Sequence, residues 1–190
     1  EGTIKIDDLK EYCKKNQIQS IGISDTTNLS GALEFSESIS KSGTQPIIGT
    51  QINFNYNDNI GLLPLVALNE NGYKRIIELS SKYYLESNDL SELSLSINTL
   101  LEKPDGIAIF SGTSFGFFGK LFDKGRLEDI EKIYQKICSV FKDKFYIEIQ
   151  RHDDINEKNF EKLNLELSHK FDIPLIATQE VFYLDKTMHE

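Results

Sequence analysis

Short apolar runs rich in Ile, Leu and Phe alternate along this chain with longer segments whose apolar residues recur at helical spacing. That alternation restricts the fold to the α/β class, because each buried strand must be covered by an amphipathic helix. Strands are expected at residues 20–24, from 46–49 onward, and at 62–68, 106–110, 145–149 and 174–178. Helices are expected at 4–16, at 29–41 with Leu29, Ala32 and Leu33 inward, from 69–73 to about 84, and at 87–101, 127–141 and 157–171. The helix at 127–141 has the cleanest stripe, formed by Leu127, Ile130, Ile133, Tyr134, Ile137 and Phe141. Strands joined through helices run parallel with right-handed crossovers, so either a (β/α) barrel or an open doubly wound sheet satisfies the pattern. In both, functional residues collect where strands end, here 24–28, 49–53, 111–114, 150–153 and 178–183.

A length of 190 residues suits one domain covering 1–190. No apolar run approaches the roughly 18 residues of a membrane span. No charged-then-apolar leader is visible, and a start at Glu1 rather than Met reads as part of something longer. The net charge of −9, from 21 basic and 30 acidic side chains, opposes phosphate neutralisation, so little direct DNA binding is expected. The adjacent basic pairs, Lys14-Lys15 and Lys74-Arg75, are expected on solvated helix faces. Cys13 and Cys138 each sit at helical spacing among apolar residues, which reads as core thiols in a reducing compartment.

The glycine-bearing run 111–119 lacks the Lys of a nucleotide loop and the spacing of a dinucleotide fingerprint, so it reads as a turn into an apolar segment. Three histidines are few for a hydrolytic metal centre. His169 falls late in a helix, where a surface cation is the default, and His189 is next to the chain end. His152 alone follows a strand, where it is either a ligand or a hydrogen-bonding loop residue. Asp25 is the best-placed carboxylate, with an alternative role as a helix cap or Asx turn. Glu148 and Glu180 either bind a cation or face solvent, and no Ser/His/Asp arrangement can be assembled.

The order of these strand-end segments carries a resemblance. Residues 23–35 (ISDTTNLSGALEF), 45–49 (QPIIG), 71–73 (NGY), 146–152 (YIEIQRH) and 174–178 (PLIAT) together resemble the PHP (polymerase and histidinol phosphatase) domain. The closer likeness is to the version found in the alpha subunits of bacterial DNA polymerase III. The resemblance implies a distorted (β/α)7 barrel with a multi-metal cluster at the carboxyl ends of the strands. It also implies that an opening His-x-His strand precedes Glu1, leaving the barrel incomplete, either open or with its free edge paired to another molecule. Carried over position by position, the metal site is degenerate. The Thr-Asp-His motif is Ser24-Asp25-Thr26, the Glu after the Ile-Ile-Gly strand is Gln51, and His152 looks retained. The closing Asn-Asp-x-His motif is Gln179-Glu180-Val181-Phe182. Thr is a poor ligand, Gln brings no charge and Phe cannot coordinate. Metal positions in this chain are therefore vestigial (Asp25, Thr26, Gln51, His152, Glu180 and Phe182), and no cofactor is expected, with residual Zn, Mn or Mg as the alternative.

The resemblance accordingly implies a cytoplasmic, non-catalytic scaffold domain of a DNA-replicating nucleotidyltransferase. Its implied partners are the remainder of the polymerase alpha chain and the proofreading exonuclease subunit. The alternatives are a metal-dependent phosphoesterase or 3′–5′ exonuclease, and a stand-alone enzyme like histidinol phosphatase.

Overall fold

Fourteen regular elements build the domain in the computed structural model, which describes residues 4–85, 93–152, 157–185 and 187. In chain order they are α1 (Ile6–Asn16), β1 (Ser20–Thr26), α2 (Ala32–Ser40), β2 (Gln45–Tyr56) and β3 (Asn59–Ala67). There follow α3 (Glu70–Leu85), β4 (Leu95–Ser96), α4 (Ile97–Leu101), β5 (Ile107–Phe110), α5 (Phe117–Asp123) and α6 (Leu127–Phe141). A 3-10 turn at Lys142–Lys144 then leads to β6 (Phe145–Ile149), α7 (Glu157–Phe171) and β7 (Leu175–Ala177).

The strand order is β1-β2-β3-β5-β6-β7, with the short β4 paired to the far half of β2. The sheet curls as a half-barrel, and its outermost strands, β1 and β7, do not pair with each other among the described residues. The barrel is thus incomplete. β1 with β2, β5 with β6 and β6 with β7 are parallel.

β3 departs from the expected all-parallel pattern and runs antiparallel to both β2 and β5. Its cause is local. Only Asn57 and Asp58 separate β2 from β3, and Asn57 takes a positive φ of 54°. A two-residue connection can only reverse the chain, because a parallel return needs a crossover of a dozen or more residues. Inward positions alternate along both arms, with Ile52 and Phe54 facing Leu63 and Leu65 in the core.

Three other expectations are corrected. Leu33 is 69% exposed, whereas Ala32, Phe35 and Ile39 are buried, so the inner face of α2 lies about one residue's rotation away. Arg75 is buried at 4% exposure rather than solvated. Its guanidinium donates to the Thr99 carbonyl and pairs with Glu78, tying α3 to α4. The helix expected at 87–101 is, over its described part, a strand pair at Leu95–Ser96 followed by the short α4; residues 87–92 lie outside the described residues. α1, α2, α3, α6 and α7 agree within a few residues, although Leu127, at the first position of α6, is more exposed than its stripe suggests, whereas α5 falls where only a turn into an apolar segment was expected.

Among the described residues two clusters of buried side chains result. The larger one runs from β2 and β3 through α3, α5 and α6 to β6 and α7, and contains an edge-to-face aromatic stack of Phe118 on Tyr134 and Tyr134 on Phe145. The smaller holds Cys13, Phe35 and Ile39 between α1, α2 and β1. Cys13 is a free core thiol, and Cys138 is a free, half-buried thiol packed on the larger cluster.

Candidate functional site: a cleft at the ends of β5, β6 and β7

β6 carries the sequence Phe145-Tyr146-Ile147-Glu148-Ile149, and its alternation sends Phe145 and Ile147 into the main core. Glu148 therefore falls on the opposite face, yet it is only 6% exposed, because the loop after β5 and the end of β7 close over it. Ser111, directly after β5, is itself buried, and its Oγ accepts the Glu148 backbone N–H at 2.9 Å. This side chain continues the β5–β6 ladder beyond the last backbone pairing, Phe110 with Tyr146. On the other side the Thr178 N–H bonds the Ile149 carbonyl at 3.1 Å, carrying β7 one residue further along β6.

The Glu148 carboxyl anchors a polar chain. Thr178 Oγ1 donates to Glu148 Oε1, and Gln150 Nε2 donates to the same oxygen at 2.9 Å. Gln150 Oε1 meets His152 Nε2 at 3.0 Å, and Gln179 Nε2 meets His152 Nδ1 at 3.2 Å. These partners suit the imidazole tautomer protonated on Nε2 and occupy both ring nitrogens. Glu148 Oε2 is buried and accepts no hydrogen bond. Burial pushes the Glu148 carboxyl above the ordinary carboxylate range. The hydrogen bonds from Thr178 and Gln150, and the approach of the Gly112 amide without a full hydrogen bond, oppose that shift, and the nearby charge of Glu180 adds to it.

Glu148, Gln150, His152 and Glu180 line a cleft of about 430 Å³ whose walls also include Gly112–Phe115 of the β5–α5 loop and Phe160 and Asn164 of α7. Arg151 on the rim forms a fork to Glu161, at 3.1 and 2.8 Å, which holds the Glu161 carboxyl below its usual range. Glu157 accepts the His152 backbone N–H at 2.8 Å.

The expected site residues fall in two places. His152, Glu180 and Phe182 line the cleft. Asp25, Thr26 and Gln51 do not. They lie on β1 and β2, where Asp25 stands opposite Thr50 and Thr26 opposite Gln51, with β3 intervening between β2 and the first cleft strand, β5. Asp25 Oδ2 accepts a long 3.4 Å hydrogen bond from the N–H of Gly31, the residue before α2, which has no side-chain cap bond. The Asx-type bond belongs instead to Asn28, whose Oδ1 accepts the Ser30 N–H at 2.9 Å. His169 is exposed on α7, and His189 lies outside the described residues. Among the described residues no three His, Cys, Asp or Glu side chains converge closely enough to hold a metal ion.

Sequence reasoning assigned no role to Ser111, Gln150, Thr178 or Asn164. The first three stand in the strand-end segments singled out for inspection, but a polar side chain there signals nothing until its neighbour is known. Asn164 was detectable, since it interrupts the buried stripe Phe160, Asn164, Leu167 of α7, and a polar residue at such a position needs a partner. That partner is the hydroxyl of Tyr134, at 3.3 Å.

The chain is 32% identical to DNA polymerase III subunit alpha of Caulobacter vibrioides over 96% of its length, and 32% identical to that of Haemophilus influenzae over 97%. It spans only 17% and 16% of those proteins. A Bifidobacterium adolescentis crystal structure described as a metal-dependent phosphoesterase superposes over 93% of this chain with a TM-score of 0.59 at 12% identity, a likeness of fold. Among the described residues no helix is long and apolar enough to cross a membrane. Residues 1–152 match the PHP domain profile, and the chain accordingly belongs to the PHP domain family.

Proposed function

We propose that this domain is a non-catalytic scaffold of a replicative DNA polymerase alpha chain, in which the family's metal site has decayed. The donor set carries this reading. A cluster of divalent ions needs several anionic or imidazole ligands to offset the repulsion between the ions. The corresponding positions here hold Thr26, Gln51 and Phe182, Asp25 is turned to the Gly31 amide, and both His152 nitrogens are engaged by glutamines. These residues do not fit a multi-metal cluster, so no hydrolytic step is derived through one.

In this reading the domain contacts the remainder of its own polymerase chain and the proofreading exonuclease subunit, works in the cytoplasm, and leaves nucleotide transfer to other regions. The likeness to polymerase alpha subunits across nearly the whole chain supports the setting. The test is elemental analysis of the full-length protein combined with a 3′-end degradation assay in Zn or Mn. Less than one Zn, Mn or Fe per chain, and no end degradation without the proofreading subunit, is expected. A stoichiometric ion together with hydrolysis that a chelator abolishes would establish the phosphoesterase or exonuclease alternative instead.

A further inference from the structure

The cleft at the ends of β5, β6 and β7 keeps a buried carboxyl oxygen without a hydrogen bond, beside a second carboxylate on its rim. Its floor is Glu148, 6% exposed, with Oε1 taken by Thr178 and Gln150 and Oε2 buried without a hydrogen bond. An unpaired buried carboxylate oxygen is costly, and a cation placed against it recovers that cost. Glu180 stands on the exposed rim and adds a second negative charge close enough to influence Glu148. The cation already at the rim, Arg151, is committed to Glu161.

Two features select the kind of cation. A divalent metal needs more converging donors than are present, since no three ligand-type side chains gather among the described residues. Aromatic surface is abundant: Phe115 is 67% exposed and Phe182 42% exposed, both on the cleft wall, with Phe160 behind them. Aromatic faces beside a carboxylate attract organic cations. Glu148 has one oxygen without a hydrogen bond, and a single oxygen suits a point-like ammonium better than a guanidinium, which prefers to engage two oxygens at once.

We propose that this cleft is a receptor for an alkylammonium group, which ion-pairs with Glu148 and Glu180 while its methylene stem packs on Phe115 and Phe182. The inference rests on the metal-free reading of the domain. The same ammonium chemistry is carried by a free polyamine and by a lysine side chain presented by a protein.

The test is a ligand-observed saturation-transfer NMR titration of the full-length protein with n-butylammonium, using n-butanol as the uncharged control. Saturable binding of the ammonium alone is expected, weakened about tenfold or more by Glu148→Gln. Glu180→Gln, an exposed substitution outside the hydrogen-bond chain, should weaken it too, so the result does not depend on Glu148→Gln folding well. Glu166→Gln, on the exposed side of α7, should leave binding unchanged. Competition by spermidine identifies a free polyamine as the source. Competition by a lysine peptide, lost when that lysine is acetylated, identifies a protein. No saturable response, or equal binding by the wild type and both cleft variants, overturns the inference. Elemental analysis separates the two failures, because a stoichiometric metal defeats the scaffold reading, whereas a metal-free protein that ignores ammonium defeats only this one.

Discussion

Glu148 shows why a single side chain can be named from sequence and still be misjudged. Its two sequence readings were a cation ligand or a solvent-facing strand residue, and its near-complete burial rules out the second. What hides it, the loop after β5 and the hydroxyl of Thr178, is distant in the chain. The consequence is measurable. Burial raises its folded-state pKa above the unfolded value of about 4.3. The folded protein therefore binds that proton more tightly. Its contribution to stability is complete below the unfolded value and is lost as pH rises through the folded one. Glu148→Gln keeps a neutral side chain at every pH. Its melting temperature relative to the wild type is expected to rise from pH 4 to pH 7, measured by thermal denaturation at several pH values. A difference that stays flat or falls with pH would show that the carboxylate is better solvated than its burial implies. The positions expected from the family's metal site fared similarly. Residue identity at 26, 51 and 182 gave their coordination chemistry at once, but not that Thr26 on β1 and Gln51 on β2 lie across β3 from the strands that carry the cleft with Phe182.

Helices were the most legible elements because their signal is local: α6 and α7 begin and end where the apolar spacing and charge placement indicate. Contacts between elements were not legible. Asn71-Gly72-Tyr73 was notable only as part of a family likeness, and packing supplies its physical reason. α3 crosses β5 so closely that a Cβ on Gly72 would sit 1.7 Å from the Gly106 carbonyl oxygen, and Gly106 itself needs a positive φ of 76°. Neither atom is the end of a flexible side chain, so the backbone must move. Gly72→Ala is therefore expected to cost about 3 kcal/mol, the upper part of the range for overpacking, despite the better helix propensity of alanine. Chemical denaturation would measure this, and a cost below about 1 kcal/mol would mean that α3 shifts freely over the sheet. Ala at an exposed α3 position such as Asn71 is the control, because it gains propensity without meeting the strand.

Topology was the least legible level. The alternation of helices and strands correctly indicates an α/β molecule and leaves a barrel or an open sheet, between which only the family resemblance chose, but one two-residue turn at Asn57-Asp58 sets two antiparallel pairings that the alternation does not contain. The curled sheet also divides the buried side chains unequally. α1 and α2 bury Cys13, Phe35 and Ile39 against β1, whereas β3, β5, α5, α6 and β6 share the large cluster and its aromatic stack. Hydrophobic stabilisation scales with apolar area removed from water, so the smaller layer has much less holding it. β1 adds a parallel ladder to β2 but has no partner on its outer side among the described residues. The α1–β1–α2 layer is therefore expected to open as a unit before the rest unfolds. Native-state hydrogen exchange should report a lower opening free energy for the amides of α1, β1 and α2 than for those of β3, β5 and α6. Phe35→Ala should lower the first set further while leaving the second nearly unchanged. If Phe35→Ala destabilises both sets equally, the two clusters form one cooperative unit, and the β1–β2 ladder transmits more stability than the division of the core implies.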